Sequence, residues 1–595
     1  MTVSYKAPLR DMEFIYYELL NGKGINQLPG YEEADLGTIK AIMEEGAKFA
    51  ENVFLPLNQS GDEQGCTLEN NVVTVPDGFK DAYQQFCEGG WTALTEAPVY
   101  GGMGLPYAVS VMMAEMLSAT NQSLSMYAGL THGAAKSIQA CGSDKQKSTY
   151  LPKFADGSWS GTMCLTEAQC GTDLGLIQTK AEPSENGHYK LTGTKIFISA
   201  GEHELTENII HLVLARLPGA PPGIKGISLF VVPKYLFDDD CNIGERNPIT
   251  CGALEHKMGI KGSATCVINM DEAEGYLIGT EHKGMQAMFV MMNSARLGTG
   301  IQGLAAGEQA YQGAVEYARD RVQMRSLTGA KYPEKKADPI IVHPDVRRML
   351  LTMRAYNEGC RAMTYWIAQE LDHYAKNPDP ERRQQADDFA SLLTPVIKAF
   401  NSDTGFDSTN LGVQVFGGHG YISEHGMEQF VRDARIAQLY EGTNGIQALD
   451  LVGRKMNLHN GRLIKRFFTK IGEFITTESQ SEELAEFIKP LTASFTDLQQ
   501  ATAWIAKQAA QNPDHAGGAS VDYLKMFGLV TVAYMWVRMV KIAMANQDGE
   551  EANFYKAKIK TGRFYMQKLL PQTTSLLATL EAGSDSLMDF DEAYF

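Results

Sequence analysis

Gly298-Thr299-Gly300-Ile301-Gln302-Gly303 spells G-x-G-x-x-G, the spacing of a dinucleotide-binding turn. Such a turn works only where a strand enters it and a helix leaves it, because its glycines let a pyrophosphate reach the helix N-terminus. Here the preceding run, Met285 to Leu297, is Met-rich and helix-like, and no βαβ unit surrounds it. The pattern therefore predicts one helix running through the motif. Gly300, Gly303, Ala306, Gly307 and Ala310 would form its small face and allow close packing against a second helix. The doubly wound nucleotide fold is set aside, and the fold class must be read from the flanking segments.

Upstream, from Thr162 to Gly279, the character is that of strands. Lys195 to Ser199, Ile209 to Ala215 and Gly226 to Val232 are short, β-branched and partly alternating, with turn clusters such as Pro218 to Gly223 between them. Further upstream, Glu44 to Leu57, Phe79 to Glu88 and Ala108 to Thr120 carry helical spacing, and Gly101-Gly102-Met103-Gly104 punctuates them. Downstream, long helical patterns run to about Lys455, with a polar link at Lys376 to Pro380. A further helical zone fills the rest, and Asn512 to Gly518 reads as a loop within it. The expected organisation is an extension (1–30), a helical domain (31–160), a β domain (161–280), a helical bundle (281–457) and an appended helical domain (458–595).

A chain of 595 residues with 44% apolar and 21% charged side chains can bury several cores. Its net charge of −18 argues against a nucleic-acid binder or a polybasic membrane anchor. Nine scattered cysteines without a Cys-x-x-Cys predict neither structural zinc nor a disulfide framework. No metal site is expected. The acidic N-terminus resembles neither a signal nor a transit peptide. The longest apolar run, Met526 to Val537, is too short to span a bilayer and reads as a buried helix. A reducing cytoplasmic setting is expected, with membrane association as the alternative.

The candidate chemistry lies in Arg432-Asp433-Ala434-Arg435-Ile436-Ala437-Gln438-Leu439-Tyr440-Glu441-Gly442-Thr443-Asn444. An amphipathic helix runs into a carboxylate, Glu441, beside a glycine that frees the backbone. Partial desolvation there would suit a general base. A solvated glutamate beside Arg432 and Arg435 is the commoner outcome for such a residue. Three further segments expose backbone or hydroxyls. Met163-Cys164-Leu165-Thr166-Glu167 with Gly171-Thr172-Asp173 could hold a flat heterocycle or a phosphate, or be an ordinary strand and turn. Gln414-Val415-Phe416-Gly417-Gly418 could approach a ligand, or simply join helices. Arg321-Val322-Gln323 could contact phosphates, or only complement a helix C-terminus. His203-Glu204-Leu205-Thr206-Glu207 begins like a zinc-protease motif but lacks the second histidine, and reads as loop polarity.

The order of these segments resembles the acyl-CoA dehydrogenase family. Leu165-Thr166-Glu167…Gly171-Thr172-Asp173, Lys195-Ile196-Phe197-Ile198-Ser199, His256-Lys257-Met258-Gly259 and Gln414…Gly418…Tyr440-Glu441-Gly442-Thr443 occur in family order across about 70% of the chain. The resemblance implies a mostly α fold with a central β domain: a helical N-terminal domain, a β-barrel-like middle and a four-helix bundle, with FAD held between the β domain and the helices. The extra C-terminal helices resemble a bacterial subgroup that includes long- and medium-chain acyl-CoA and 3-methylmercaptopropionyl-CoA dehydrogenases.

What the resemblance implies can be stated residue by residue. Glu441 matches the base that removes the α-proton of an acyl-CoA while FAD N5 accepts the β-hydride, giving a trans-2-enoyl-CoA in fatty-acid β-oxidation. Met163, Leu165, Thr166, Phe197, Ser199 and Thr443 match flavin contacts; Trp and Thr are frequent where Phe197 and Ser199 stand. Arg321 and Gln323 match positions reaching the FAD of a neighbouring subunit, and Gln414, Gly417 and Gly418 its adenosine end. Thr172, Asn293, Arg296 and Gly442 match acyl-CoA positions, Asn293 replacing a frequent Asp. A minority of the family carries the base immediately before the arginine matching Arg296; here Ala295 stands there, which leaves Glu441. Electron-transferring flavoprotein is the implied acceptor and a homodimer the implied assembly. The alternatives are a 3-methylmercaptopropionyl-CoA dehydrogenase, an oxidase using O2, and a silent scaffold.

Overall fold

The computed structural model describes residues 4–185 and 187–595. Helices come first: α1 (Leu9–Glu13), α2 (Leu36–Phe49), α3 (Asn58–Gln64), α4 (Phe79–Glu88), α5 (Tyr107–Thr120), α6 (Gln122–Cys141) and α7 (Asp144–Ala155). A small antiparallel hairpin, β1 (Thr67–Glu69) and β2 (Val72–Thr74), interrupts them. The strand zone holds β3 (Trp159–Cys164), β4 (Lys180–Pro183), β5 (Tyr189–Ser199), β6 (Asn208–Arg216), β7 (Ile227–Pro233), β8 (Tyr235–Phe237), β9 (Ile243–Arg246), β10 (Ile249–Leu254) and β11 (Thr265–Ile278). Long helices follow: α8 (Gly284–Asp320), α9 (Pro344–Lys376), α10 (Pro380–Phe416), α11 (Met427–Arg435), α12 (Asn444–Gly453), α13 (Arg462–Glu478), α14 (Ala485–Ala509), α15 (Pro513–Asn546), α16 (Ala552–Phe564) and α17 (Gln572–Glu581).

These elements form two compact units, one of residues 48–105 and 116–298, the other of residues 1–47, 106–115 and 299–595. In the first, β11, β5, β4, β6 and β7 pair in a closed ring, because β7 bonds to both β6 and β11; β10 and β3 extend it. Closure gives each of the five ring strands a partner on both sides, and β10 and β3 carry the remaining edges. β7 is buried along its whole length and β6 almost so, which explains their unbroken aliphatic runs. Helices α6 and α7 pack on β3 through Ala134, Ile138, Leu151, Phe154 and Trp159.

In the second unit α9 lies along α10, and α8 meets α10 through its small face. A Cβ at Gly300 would strike Ile397, one at Gly303 the backbone of Asn401 and Ser402, and one at Gly307 the side chain of Asn357. The G-x-G-x-x-G motif is thus a packing seam inside a helix, as expected. α15 is the helix of the apolar run. It is long and apolar enough to cross a membrane, yet 83% of its apolar window is buried within the protein. Gly528 seats it on Phe400, and Trp536 donates to the Ala355 carbonyl at 3.1 Å.

The expected loop at Asn512 to Gly518 is instead the first turns of α15. Asn512 caps the helix by accepting from the Asp514 amide, and Pro513 occupies the first position, where no amide hydrogen is needed. The two glycines that suggested a loop lie within the helix.

Candidate active site

The base candidate lies in the helical unit. α11 buries Met427, Phe430 and Ala434 and leaves Arg432 and Arg435 half-buried. Arg432 pairs with Glu428 at 2.9 Å, and the Arg435 guanidinium lies 5.9 Å over the Phe406 ring. After one 3-10 turn at Ile436–Gln438, the chain reverses through two consecutive left-handed residues, Glu441 at φ 58° and Gly442 at φ 81°. Glycine adopts this freely, whereas a side-chain-bearing residue costs about 1–2 kcal/mol. The surroundings must therefore impose it.

The anchors are explicit. The Tyr440 hydroxyl donates to the Gln302 side chain, within the very motif that decided the fold. Burial, and then the Glu441 charge, push the Tyr440 phenol up, so it stays a donor. The Gln447 amide donates to the carbonyls of Glu441 at 3.0 Å and Gly442 at 3.2 Å. Asn444 accepts from Lys398 at 2.8 Å and donates to Ser402 at 3.0 Å and Asp403 at 2.6 Å, all on α10. Gln438 also donates to Asp403, at 2.7 Å. Thr443 caps α12 by accepting from the Ile446 amide. Glu441 and Gly442 are half-buried at the crest of this loop and Thr443 is exposed.

A second cluster forms where α8 and α10 end. Tyr317 stacks on Phe416, ring centroids 4.2 Å apart and 16° from parallel, and its hydroxyl meets His419 Nδ1 at 2.9 Å. This brings Arg321 and Gln323, just past α8, to the end of the bundle that carries Gln414, Gly417 and Gly418. All five are exposed, and a Cβ at either glycine would meet nothing within 4 Å.

The remaining candidates lie in the β unit. Leu165 and Thr166 follow β3 directly, and the Ile196 amide donates to the Thr166 carbonyl at 2.9 Å. That bond ties them to β5 at a bulge: Ile196 and Phe197 together face the single residue Val267, between the pairs Lys195–Ile268 and Ile198–Cys266. Phe197 sits there at φ 58° with 59% of its surface exposed, a costly placement for an aromatic ring. The hydroxyls of Thr166 and Ser199, both half-buried, have no hydrogen-bond partner among the described residues. Met163 is half-buried on β3, Thr172 lies on an exposed turn, and Asn293 and Arg296 stand one turn apart on α8, the first exposed and the second buried.

Several residues escaped the sequence reading. Gln302, Gln447, Asn444, Lys398 and Asp403 hold the Glu441 loop, and Lys195 pairs with Glu167 inside the β unit. Asn444, Gln302, Lys195 and Glu167 stand within stretches already singled out, but nothing local marks them as anchors. His203, expected to be loop polarity, is buried and shares a hydrogen bond with Ser160 at 3.1 Å. Among the described residues no cluster of three metal-ligating side chains occurs.

Comparison with known proteins completes the assignment. Residues 38–158, 162–273 and 282–456 match the N-terminal, middle and C-terminal domains of acyl-CoA dehydrogenases, and residues 467–591 match a domain described as acetyl-CoA dehydrogenase C-terminal like. The chain is 41% identical over 594 residues to the 3-methylmercaptopropionyl-CoA dehydrogenase of Ruegeria pomeroyi, covering 98% of this chain and 99% of that one. It is 32% identical to the broad-specificity linear acyl-CoA dehydrogenase FadE5 of Mycobacterium tuberculosis, covering 99% and 100%. The fold matches an acyl-CoA dehydrogenase of Bacillus anthracis, solved with FAD, at a TM-score of 0.75 and 22% identity over 98% of this chain and 93% of that one. A Tyr-Glu-Gly-Thr loop pinned to a helical bundle, a closed β unit and a full-length match in every domain together place the chain in the acyl-CoA dehydrogenase family.

Proposed function

We propose that this chain is an FAD-dependent acyl-CoA dehydrogenase in which Glu441 is the base. The observation that carries this reading is the left-handed Glu441–Gly442 pair, held by Gln447, Asn444 and Tyr440. Backbone strain upheld by surrounding anchors is a mark of a functional position, and this supports Glu441 as the residue the loop presents.

The residues present suit FAD. An exposed Phe197 ring on the strand that carries the half-buried Ser199 hydroxyl, and that is bonded to the Thr166 carbonyl, suits a flat heterocycle with polar edges, and the open Gly417–Gly418 turn admits a bulky ligand without steric conflict. Bound FAD supplies the acceptor for the hydride that leaves the substrate β-carbon. Glu441 takes the α-proton, which is far too weakly acidic for a carboxylate unless the thioester oxygen is held by donors as charge develops on it. The Glu441 backbone amide is our candidate donor, oriented by the Gln447 bonds to the neighbouring carbonyls. Thr172, Asn293, Arg296 and Gly442 are proposed to hold the acyl-CoA, and Arg321, Gln323, Gln414 and Thr443 further parts of FAD.

Glu441→Gln is expected to keep FAD and lose turnover by about 10³-fold or more. Turnover within tenfold of the native protein would overturn the assignment. We propose electron-transferring flavoprotein as the acceptor and a homodimer as the assembly. Peroxide release in air at the rate of turnover would replace the first with O2, and sedimentation tests the second. The end-to-end 41% identity favours one narrower reading, a short thioether acyl group as in 3-methylmercaptopropionyl-CoA. Anaerobic flavin bleaching with this thioester and with straight-chain acyl-CoAs of increasing length decides it.

A further inference from the structure

Lys195 stands in the middle of β5 with its side chain wholly buried, against Glu167, which is 5% exposed. Neither is among the residues assigned to flavin or substrate. Glu167 accepts from Lys195 Nζ at 2.8 Å, the Thr179 hydroxyl at 2.6 Å, the amides of Gln178 at 2.7 Å and Thr179 at 3.1 Å, and the Gln169 side chain at 2.6 Å. Lys195 Nζ also donates to the Leu165 carbonyl at 3.1 Å. The two side chains thus join three segments: the turn after β3, the start of β4 and the centre of β5.

Burying a lone ammonium and carboxylate costs several kcal/mol each, and well-packed apolar residues in their place are often as stable. A buried pair with this many additional bonds therefore points to geometry more than to stability. What it fixes is specific. Leu165 and Thr166 lie on one side of it. On the other side, starting one residue after Lys195, comes the bulge where Ile196 and Phe197 share one partner on β11. The regular ladder fails there, so the strand needs another tether. Burial alone would raise the Glu167 carboxyl, but Lys195 and the Thr179 and Gln178 bonds overcome this and hold it at about 2, so the carboxylate is ionised at neutral pH.

We propose that Lys195 and Glu167 are positioning residues for the flavin, clamping the Leu165–Thr166 backbone to the β5 bulge so that Thr166, Phe197 and Ser199 are presented together. This rests on the assignment of those three residues to the flavin.

The test uses the full chain and measures FAD dissociation, the visible spectrum of the bound flavin and its reduction potential, with circular dichroism and melting of the apoprotein. Lys195→Met is expected to raise the FAD dissociation constant at least tenfold and to shift the flavin potential, with the far-ultraviolet spectrum unchanged. Glu167→Gln is expected to act in the same direction. The double variant is expected to be no worse for FAD than Lys195→Met alone, because both act through one pair. FAD affinity within twofold of native and an unmoved potential overturn the proposal even if melting falls, since that is the behaviour of a purely structural pair. Should Lys195→Met fail to fold, Glu167→Gln is judged by the same readouts. Phe197→Leu separates the clamp from the assignment beneath it. A flavin spectrum altered by Phe197→Leu but not by Lys195→Met overturns the clamp alone; no change with either overturns both.

Discussion

Glu441 and Gly442 share one conformational demand but meet it differently. Gly442 adopts φ 81° without cost, while Glu441 at φ 58° is held there by neighbours. The balance between strain and anchors makes Gly442 the sensitive position. A Cβ at Gly442 would lie 2.7 Å from Gln447 Nε2, the atom bonded to both loop carbonyls. Gly442→Ala therefore adds left-handed strain and displaces the anchor at once. Small displacements of a reacting group are costly, on the order of 10²-fold for about 1 Å. We expect Gly442→Ala to lower kcat tenfold or more while FAD stays bound, measured by steady-state kinetics and the flavin spectrum. Native kcat in that variant would show that the loop geometry is not what aims Glu441. The sequence made Gly442 legible as a free hinge and Glu441 as a possible base. It did not show that Glu441 is itself left-handed, because the Tyr440 anchor on Gln302 lies 138 residues away. Residue type announces a glycine's freedom, but not a constraint that tertiary contacts impose on glutamate.

At the scale of elements, pattern and structure agree where one periodicity runs long. The small face through Gly300, Gly303 and Gly307 is legible because three residues at helical spacing must meet something close. The three-residue strands of the β1–β2 hairpin are too short to show alternation. Asn512 to Gly518 misled because Asn, Pro and Gly mark both loops and helix starts; the Asn512 cap settles it as a start. Histidines in the β unit were harder still, since nothing in the sequence says which are buried. His203 and His211 are 1% exposed, and burial, reinforced by the charge of Lys234, lowers both from 6.5 to about 3. The Leu205 amide donates to His203 Nδ1, so the neutral ring carries its hydrogen on Nε2 and donates to Ser160. Between pH 6.5 and about 3 the unfolded chain binds protons at these sites that the folded chain does not. Stability must therefore fall as pH falls through that window, by up to about 1.4 kcal/mol per pH unit for each histidine. Denaturant unfolding from about pH 7 down to about pH 5 is expected to show this slope, and the double variant His203→Gln, His211→Asn to flatten it. Equal slopes in both proteins would remove the histidines as its cause.

On the largest scale, the segments before residue 38 and after residue 456, on either side of the three dehydrogenase domain matches, are joined to the bundle by buried charge. Arg361 on α9, 1% exposed, pairs with Asp11 at 2.5 Å, Glu115 at 2.7 Å and Glu308 at 2.9 Å. Lys558 on α16 pairs with the same Asp11 and with Glu358, the latter at 2.8 Å. One network thus includes the N-terminal extension, α5, the bundle helices α8 and α9, and the appended domain, all within the helical unit. None of this was legible in the sequence, because single charges 350 residues apart carry no pattern. Arg361 is the centre, and removing it leaves carboxylates buried with too little counter-charge. Breaking a buried pair in this way costs about 3–5 kcal/mol. Arg361→Met, which keeps much of the volume, is therefore expected to lose at least about 3 kcal/mol in denaturant unfolding near neutral pH. The loss should also depend on pH. Burial already raises the Glu115 carboxyl against the pull of Arg361, and without that arginine the carboxyls would rise further. A carboxyl whose folded value is raised destabilises the fold increasingly as pH climbs above its unfolded value near 4.5. The deficit of Arg361→Met relative to the native chain should therefore grow from about pH 5 to about pH 8. A packing defect alone would give the same deficit at both. A deficit below about 1 kcal/mol, or one that does not change with pH, would mean that apolar contacts, and not this network, join the added segments to the bundle.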